Sequence, residues 1–423
     1  MPFSKEERVA FEDQLEAFND LMVESRTVSV YGTDGQLMER ANDTIWRPVP
    51  YILNSQARTI GTPVVPQVVN QLTVPSRLNI ARNVSWSMTA LELRDALQEG
   101  RLGDGSRQRL ASDINSSVRS VAANQGTLAV NITGAPGTYD HIATAQAIMD
   151  EQGVATEDRH LFLAPREANG IAGNLTNLNR SFGNAKSDNA FERSALGDIA
   201  GFNVYRSDGA IRQTGATPSV TIATNGAQVR YVPATLDANG NNVDNRTQVV
   251  TLSAVTGVTP GMAFSIVGIE SVHQITKVPT GQLKTYRVIS TPTSEPALGA
   301  SQIRISPPII GANSTPTAAE LQYKNCEVVA TSATQTINFL TRNTANLNPF
   351  WTRESMQMLP GRYVVPEGAG VDVMRGTTDQ GLELVMTKRF DPERFTTLFT
   401  FDTFYGVVNL NPESNGVIFW GQP

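Results

Sequence analysis

Cysteine is nearly absent from this chain: Cys326 stands alone in 423 residues. A single thiol excludes an intrachain disulfide framework and any multi-thiolate metal site, and it suits a reducing cytosol as the place of synthesis. Histidine is almost as scarce, with only His141, His160 and His273. They fall on an expected helix, an expected strand and a separate β segment, and no two have ligand-like spacing, which argues against a histidine metal centre. Charged residues make up only 17%, and the net charge of −6 leaves no general attraction for nucleic acid, because phosphate binding needs clustered cations that release counterions. No uncharged apolar run is long enough to cross a bilayer, and Met1 to Arg8 lacks the apolar core of a secretory signal. The sequence therefore predicts a product made soluble in the cytoplasm, with no membrane partner and with Asn-x-Ser/Thr triplets such as Asn83-Val84-Ser85 unglycosylated.

Catalytic motifs are missing as well. Cys326 has no histidine in its own expected element, there is no Gly-x-Ser-x-Gly elbow, and the thiol reads as buried and structural. No Walker loop or dinucleotide fingerprint occurs, and Asp391 and Glu393 beside Pro392 read as turn chemistry. Asp237 to Asp244 has the alternating oxygen ligands of a calcium loop at its start, but its glycine comes too early and no bidentate glutamate follows. A polar, protruding turn is the reading that remains. Trp46, Trp86, Trp351 and Trp420 are too scattered for a sugar-stacking platform and suit core or subunit-contact anchors. The chain is read as no enzyme and as needing no cofactor.

What is present is β-forming and turn-forming. Hydrophobic residues reach 40%, enough for two or three cored domains, alongside 33 glycines and 23 prolines. Ser4 and Glu7 form a capping box, and Phe11, Leu15, Phe18 and Met22 then share one face of a helix. Its acidic face is either solvated or a partner-docking face, and a helix of this length must dock its apolar stripe on something. From Thr27 to Thr89 helical periodicity vanishes and prolines recur, as in an arm or long β-hairpin reaching a neighbouring subunit. Val84, Trp86 and Met88 alternate with Asn83, Ser85 and Ser87, predicting a strand with one buried face.

Thr89 and Glu92 are placed to cap a long helix, with an expected break at Gly100 and Gly103-Asp104-Gly105. Leu110, Ile114, Val118 and Val121 form its stripe and Gly126 its end. A strand at Leu128 to Ile132, a helix at Tyr139 to Gln152, a strand at His160 to Leu163 and a short helix opened by Pro165 follow. Gly197 to Ser207 reads as a turn feeding a strand. Residues 214–331, rich in Thr, Val, Ser and Gly, read as an inserted all-β domain. Ala333 to Thr341 is expected to be helical, and Val371 to Val373, Leu382 to Met386 and Phe399 to Phe401 are expected strands.

Three stretches then suggest a family. Asn42-Asp43-Thr44-Ile45-Trp46-Arg47-Pro48-Val49, the run from Val243-Asp244-Asn245-Arg246 to Gly257, and Asn348-Pro349-Phe350-Trp351 together resemble the coat, or major capsid, proteins of short-tailed lambdoid phages of Salmonella and Shigella. The resemblance implies an α+β chain with the tailed-phage, Hong Kong-type capsid fold. Its parts would be an N-terminal arm (1–26), an extended loop (about 50–85) and peripheral domain with a spine helix (27–126), an axial domain (127–213), an inserted Ig-like or β-barrel domain (214–331), and a return to the axial and peripheral domains (332–423).

It further implies that Leu236 to Arg246 is a loop reaching across two-fold contacts between capsomers. Asp237, Asp244 and Arg246 carry over to that subunit contact, whereas Asn239 and Asn242 replace charges of the family. Phe11, Leu15, Phe18 and Met22 are the expected arm-packing residues. The implied partners are the chain itself, in pentamers and hexamers of an icosahedral procapsid, a scaffolding protein and a portal complex, with DNA enclosed but not specifically bound. The Thr-rich β segment taken alone also fits a secreted adhesin or carbohydrate-binding structural protein, which predicts a secretion route and glycan binding without shells.

Overall fold

The computed structural model describes residues 11–12, 15–16, 18–32, 44–49, 60–61, 63, 66, 68–89, 96–179, 196–223, 228–311, 315–329, 333–363 and 372–423, with backbone only at 96–103 and 175–179. Ser4, Glu7, Glu92 and most of the expected extended loop lie outside these residues. The chain divides into two compact units, one of residues 1–45, 76–120 and 356–408, the other of 46–75, 121–355 and 409–423.

The first unit is built on a six-stranded sheet ordered Ser29–Val30, Met356–Pro360, Thr396–Asn409, Glu383–Asp391, Asp372–Thr377, with Ile80–Thr89 also paired to Thr396–Asn409. The strand Ile80–Thr89 buries Met88 and half-buries Val84 and Trp86, while Asn83, Ser85 and Ser87 stay exposed, as the alternation requires. Trp86 stacks on Phe399 at 5.6 Å. Thr89 is the last residue of this strand, facing Thr396, and the residues from 90 to 95 that would begin a helix after it lie outside those described.

The long helix runs unbroken from Ala96 to Gln125, through Gly100, Gly103 and Gly105. The expected break is absent because a glycine costs a helix only about 1 kcal/mol. Downstream, Leu110, Ile114 and Val118 are fully buried, each contributing roughly 1.5–3 kcal/mol. Gly126 closes the helix where only glycine fits: a Cβ would meet Ala122 O at 2.8 Å and Gly416 N at 3.0 Å.

Among the described residues the second unit contains two seven-stranded sheets, beside a two-stranded pairing of Thr44–Pro48 with Thr73–Arg77. One is ordered Leu128–Thr133, Gly416–Gln422, Ala345–Thr352, Arg159–Leu163, Phe202–Arg206, Gly197–Ile199, with Ile211–Gln213 added to Ala345–Thr352. Helices Tyr139–Glu151 and Pro165–Asn179, the latter longer than expected, cover it through Ile142, Met149, Ala168 and Ile171 against Val130, Leu161 and Phe202. The turn between Gly197–Ile199 and Phe202–Arg206 uses Ala200 and Gly201, both at positive φ.

The other sheet is the β segment: Thr221–Ala223, Thr334–Phe339, Ala263–Val272, Pro279–Ser290, Gln302–Ser306, Gln248–Thr251, with Cys326–Val328 paired to Ala263–Val272. A bridge between Ile222 and Leu252, and a bond from Ser253 N to Thr221 O at 3.0 Å, join its two ends into a barrel. Phe264, Ile266, Tyr286, Val288, Ile303 and Phe339 fill the barrel. Thr334–Phe339 corrects the helix expected at Ala333 to Thr341. Its Ile337 and Phe339 face inward and its backbone pairs with Ile266 and Phe264, so long-range pairing overrides local propensity.

Candidate assembly surface

The loop at Leu236 to Arg246 leaves the barrel unit and is fully exposed from Leu236 to Asn242. An antiparallel bridge between Leu236 and Asn242 closes it. Within it Asp237 acts as the turn's organiser: its Oδ1 accepts from the backbone N–H of Asn239 and of Asn241, both at 2.8 Å, and its Oδ2 accepts from Asn241 Nδ2 at 3.2 Å. Gly240 occupies the left-handed region at φ +81°, which lets the chain reverse. These donors, the Asn241 amide foremost, hold the Asp237 carboxyl below the usual carboxylate range. Asn241 thus supplies the local hydrogen bonds that order the turn.

Asp244 and Arg246 pair with each other. Arg246 Nε reaches Asp244 Oδ1 at 2.9 Å and Nη2 reaches Oδ2 at 2.7 Å, a two-pronged bond, while Nη1 donates to Asn409 O at 2.7 Å. The polar groups of this pair therefore brace the loop's root within the chain, and Asp237 stands apart from them in its own turn.

Asn245 between them was missed by the sequence reading, and its side chain makes four hydrogen bonds. It is 8% exposed. Its Oδ1 accepts from Tyr231 Oη at 3.0 Å and Ala234 N at 3.2 Å, and its Nδ2 donates to Ala234 O at 2.9 Å and Val243 O at 3.1 Å. A buried amide with both ends satisfied fixes one geometry. No charge or periodicity distinguishes it from the other asparagines nearby, so only its position inside the conspicuous Val243 to Gly257 run could have signalled it.

Three further residues on the barrel strand Pro279–Ser290 were also missed. Lys284 pairs with Glu413, Thr285 Oγ1 donates to Thr127 O at 2.7 Å, and Arg287 donates to Ala123 O near the end of the long helix. Helix C-termini leave carbonyls unpaired, and a cationic donor there satisfies one of them. Burial pulls the Arg287 guanidinium down to about 9.

In the first unit the arm stripe packs onto the same chain. Phe11, Phe18 and Met22 are buried and Leu15 half-buried. Phe11 stacks on Phe401 at 6.3 Å and 10°, and Gly376 lies so close to Phe11 and Leu15 that an added Cβ would meet both at 2.9 Å. Asn115 Nδ2 donates to Leu21 O at 2.9 Å, and the buried Arg119 pairs with Glu24 at 2.7 Å. These contacts supply the surface on which the arm's apolar stripe docks.

Cys326 is buried against Tyr286, and burial pushes its thiol up to about 12. His141 Nδ1 accepts from Trp420 Nε1 at 2.9 Å. Among the described residues no group of three or more metal-ligating side chains converges. A known family, described as P22 coat protein - gene protein 5, matches residues 1–421 of the chain.

The chain belongs to the P22 coat protein family. With the family comes the role of a phage major capsid protein, located in the virion shell and assembling with copies of itself. Among solved structures, the coat protein I-domain of CUS-3 is 34% identical, covering 30% of this chain and 99% of that one at a TM-score of 0.23. The capsid of cyanophage P-SCSP1u is 10% identical over 93% of this chain and 86% of that one, at a TM-score of 0.45. The mature capsid of bacteriophage PhiM1 is 12% identical over 93% and 86%, at 0.43.

Proposed function

We propose that this coat protein forms pentamers and hexamers of an icosahedral procapsid around a scaffolding protein, with a portal complex in the shell, in a short-tailed lambdoid phage of Salmonella or Shigella. The observation that carries this reading is the family match along 1–421 of the 423 residues, which includes the barrel as well as the units around it. DNA is enclosed without specific binding, in keeping with a net charge of −6. The protein works by interface area and not by turnover. The family places it among shell proteins, which leaves the adhesin reading without support.

Within that scheme the exposed turn at Asp237 to Asn242 makes the contact between capsomers, and Asp244, Asn245 and Arg246 hold it in position. Phe11, Leu15, Phe18 and Met22 seat the arm on its own subunit. The inserted domain opens near 214 and, by the pairing of Thr334–Phe339, extends past 331. Electron microscopy of the protein co-produced with its scaffold tests the reading: closed shells are expected, and monomers alone would refute it.

A further inference from the structure

The root of the proline-rich extended segment is held by groups of the barrel module, most of them outside the loop. The segment's two ends lie side by side: Val49 N donates to Leu72 O at 2.9 Å, and Gln71 Nε2 donates to Val49 O at 2.8 Å. The returning end is then gripped by the helix Ala318–Tyr323. Tyr323 Oη donates to Asn70 O at 2.8 Å and accepts from Leu72 N at 3.5 Å, and Asn70 N donates to Gln322 Oε1 at 3.2 Å. On the other flank Thr235 Oγ1 donates to Gln71 O at 3.4 Å, and Thr73 forms a parallel bridge with Asp244. Each residue from Asn70 to Thr73 thus bonds to the barrel module. Leu72 and Val74 are buried, and they line one cleft with Pro307, Pro308 and Ile310.

The helix is built to hold position. Six residues are too few for a stable isolated helix. Here Thr317 and Glu320 close a capping box, and the fully buried Glu320 takes Arg230 Nε at 2.5 Å and Nη2 at 3.0 Å. The helix lies outside the strands that close the barrel. A fixed helix whose last two side chains both end on the backbone of another segment is a clamp.

We propose that the helix Ala318–Tyr323 is the clamp through which the inserted module sets the direction of the extended segment, with Tyr323 as the positioning residue. Its effect on shells rests on the coat-protein reading; the clamp itself belongs to the isolated subunit. Tyr323→Phe keeps the ring and removes the hydroxyl, and Gln322→Met is the independent second variant. Hydrogen exchange on isolated full-length subunits should rise about three- to tenfold at residues 70–73, the worth of one net hydrogen bond, with the strand Ala263–Val272 unchanged. Co-produced with scaffold, both variants should give fewer closed particles and more open or misshapen ones.

Unchanged exchange at 70–73, or an equal rise throughout the barrel, would overturn the clamp. Faster exchange with a normal yield of normal shells would overturn the positioning role. If the unaltered protein forms no shells, the coat-protein reading fails instead, and the exchange data alone decide the clamp.

Discussion

Glu167→Gln should make the subunit more stable, chiefly at neutral to alkaline pH. Glu167 sits in the first turn of the helix Pro165–Asn179 and is 8% exposed. Its Oε1 accepts from Asn346 Nδ2 at 3.2 Å, while its buried Oε2 has no partner among the described residues. Burial pushes the carboxyl up to about 7, against 4.5 unperturbed, and the hydrogen bonds from Asn348 and Asn346 only partly oppose it.

Between pH 4.5 and 7 the folded chain keeps a proton that the unfolded chain has released. Stability from this group is therefore fully present below 4.5 and is lost as pH rises through 7. At about 1.4 kcal/mol per pH unit over the roughly 2.5 units between 4.5 and 7, the loss by pH 8 is about 3–3.5 kcal/mol. Glutamine mimics the protonated acid and removes that loss. Urea unfolding of isolated subunits, followed by tryptophan fluorescence at pH 5 and pH 8, should show a gain for the variant of less than about 1 kcal/mol at pH 5 and of about 3–3.5 kcal/mol at pH 8. A difference independent of pH, or a loss at both, would refute the reasoning.

Other outcomes follow from the same geometry. Phe11→Ala removes a buried ring stacked on Phe401 and should cost the subunit about 3 kcal/mol in urea unfolding. Arg246→Ala should cost about 1–2 kcal/mol through its lost bond to Asn409 O, whereas Asp237→Ala should leave the subunit's unfolding midpoint in place and lower the temperature at which assembled particles fall apart. Gly126→Ala should lower the melting temperature by several degrees, because its Cβ has no space beside Ala122 O and Gly416 N. Cys326 should resist a thiol reagent in the folded subunit and react once urea unfolds it, since the buried thiol is held up near 12.

Local pattern carried much of the fold. The alternation at Val84, Trp86 and Met88 and the stripe at Leu110, Ile114 and Val118 needed no distant information, because one face of each element is buried. Thr334 to Phe339 failed because a six-residue Thr-rich stretch has no decisive period, and its strand exists through pairing with Ala263–Val272. The arm stripe was legible, but the surface that receives it, around Gly376 and Phe401, comes more than 350 residues later in the chain. The loop's charges could be found in sequence, whereas the bond from Arg246 to Asn409 and the grip of Tyr323 on Asn70 could not, since long-range backbone acceptors leave no trace in composition.

The central claim is that this chain closes into an icosahedral shell with its barrel as a contact module. Cryo-electron microscopy of particles from cells producing the protein and its scaffold tests it most directly. The account predicts closed shells of hexamers and pentamers in which the turn at Asp237 to Asn242 touches a neighbouring capsomer. Shells in which that turn faces only solvent, or no shells at all, would contradict it.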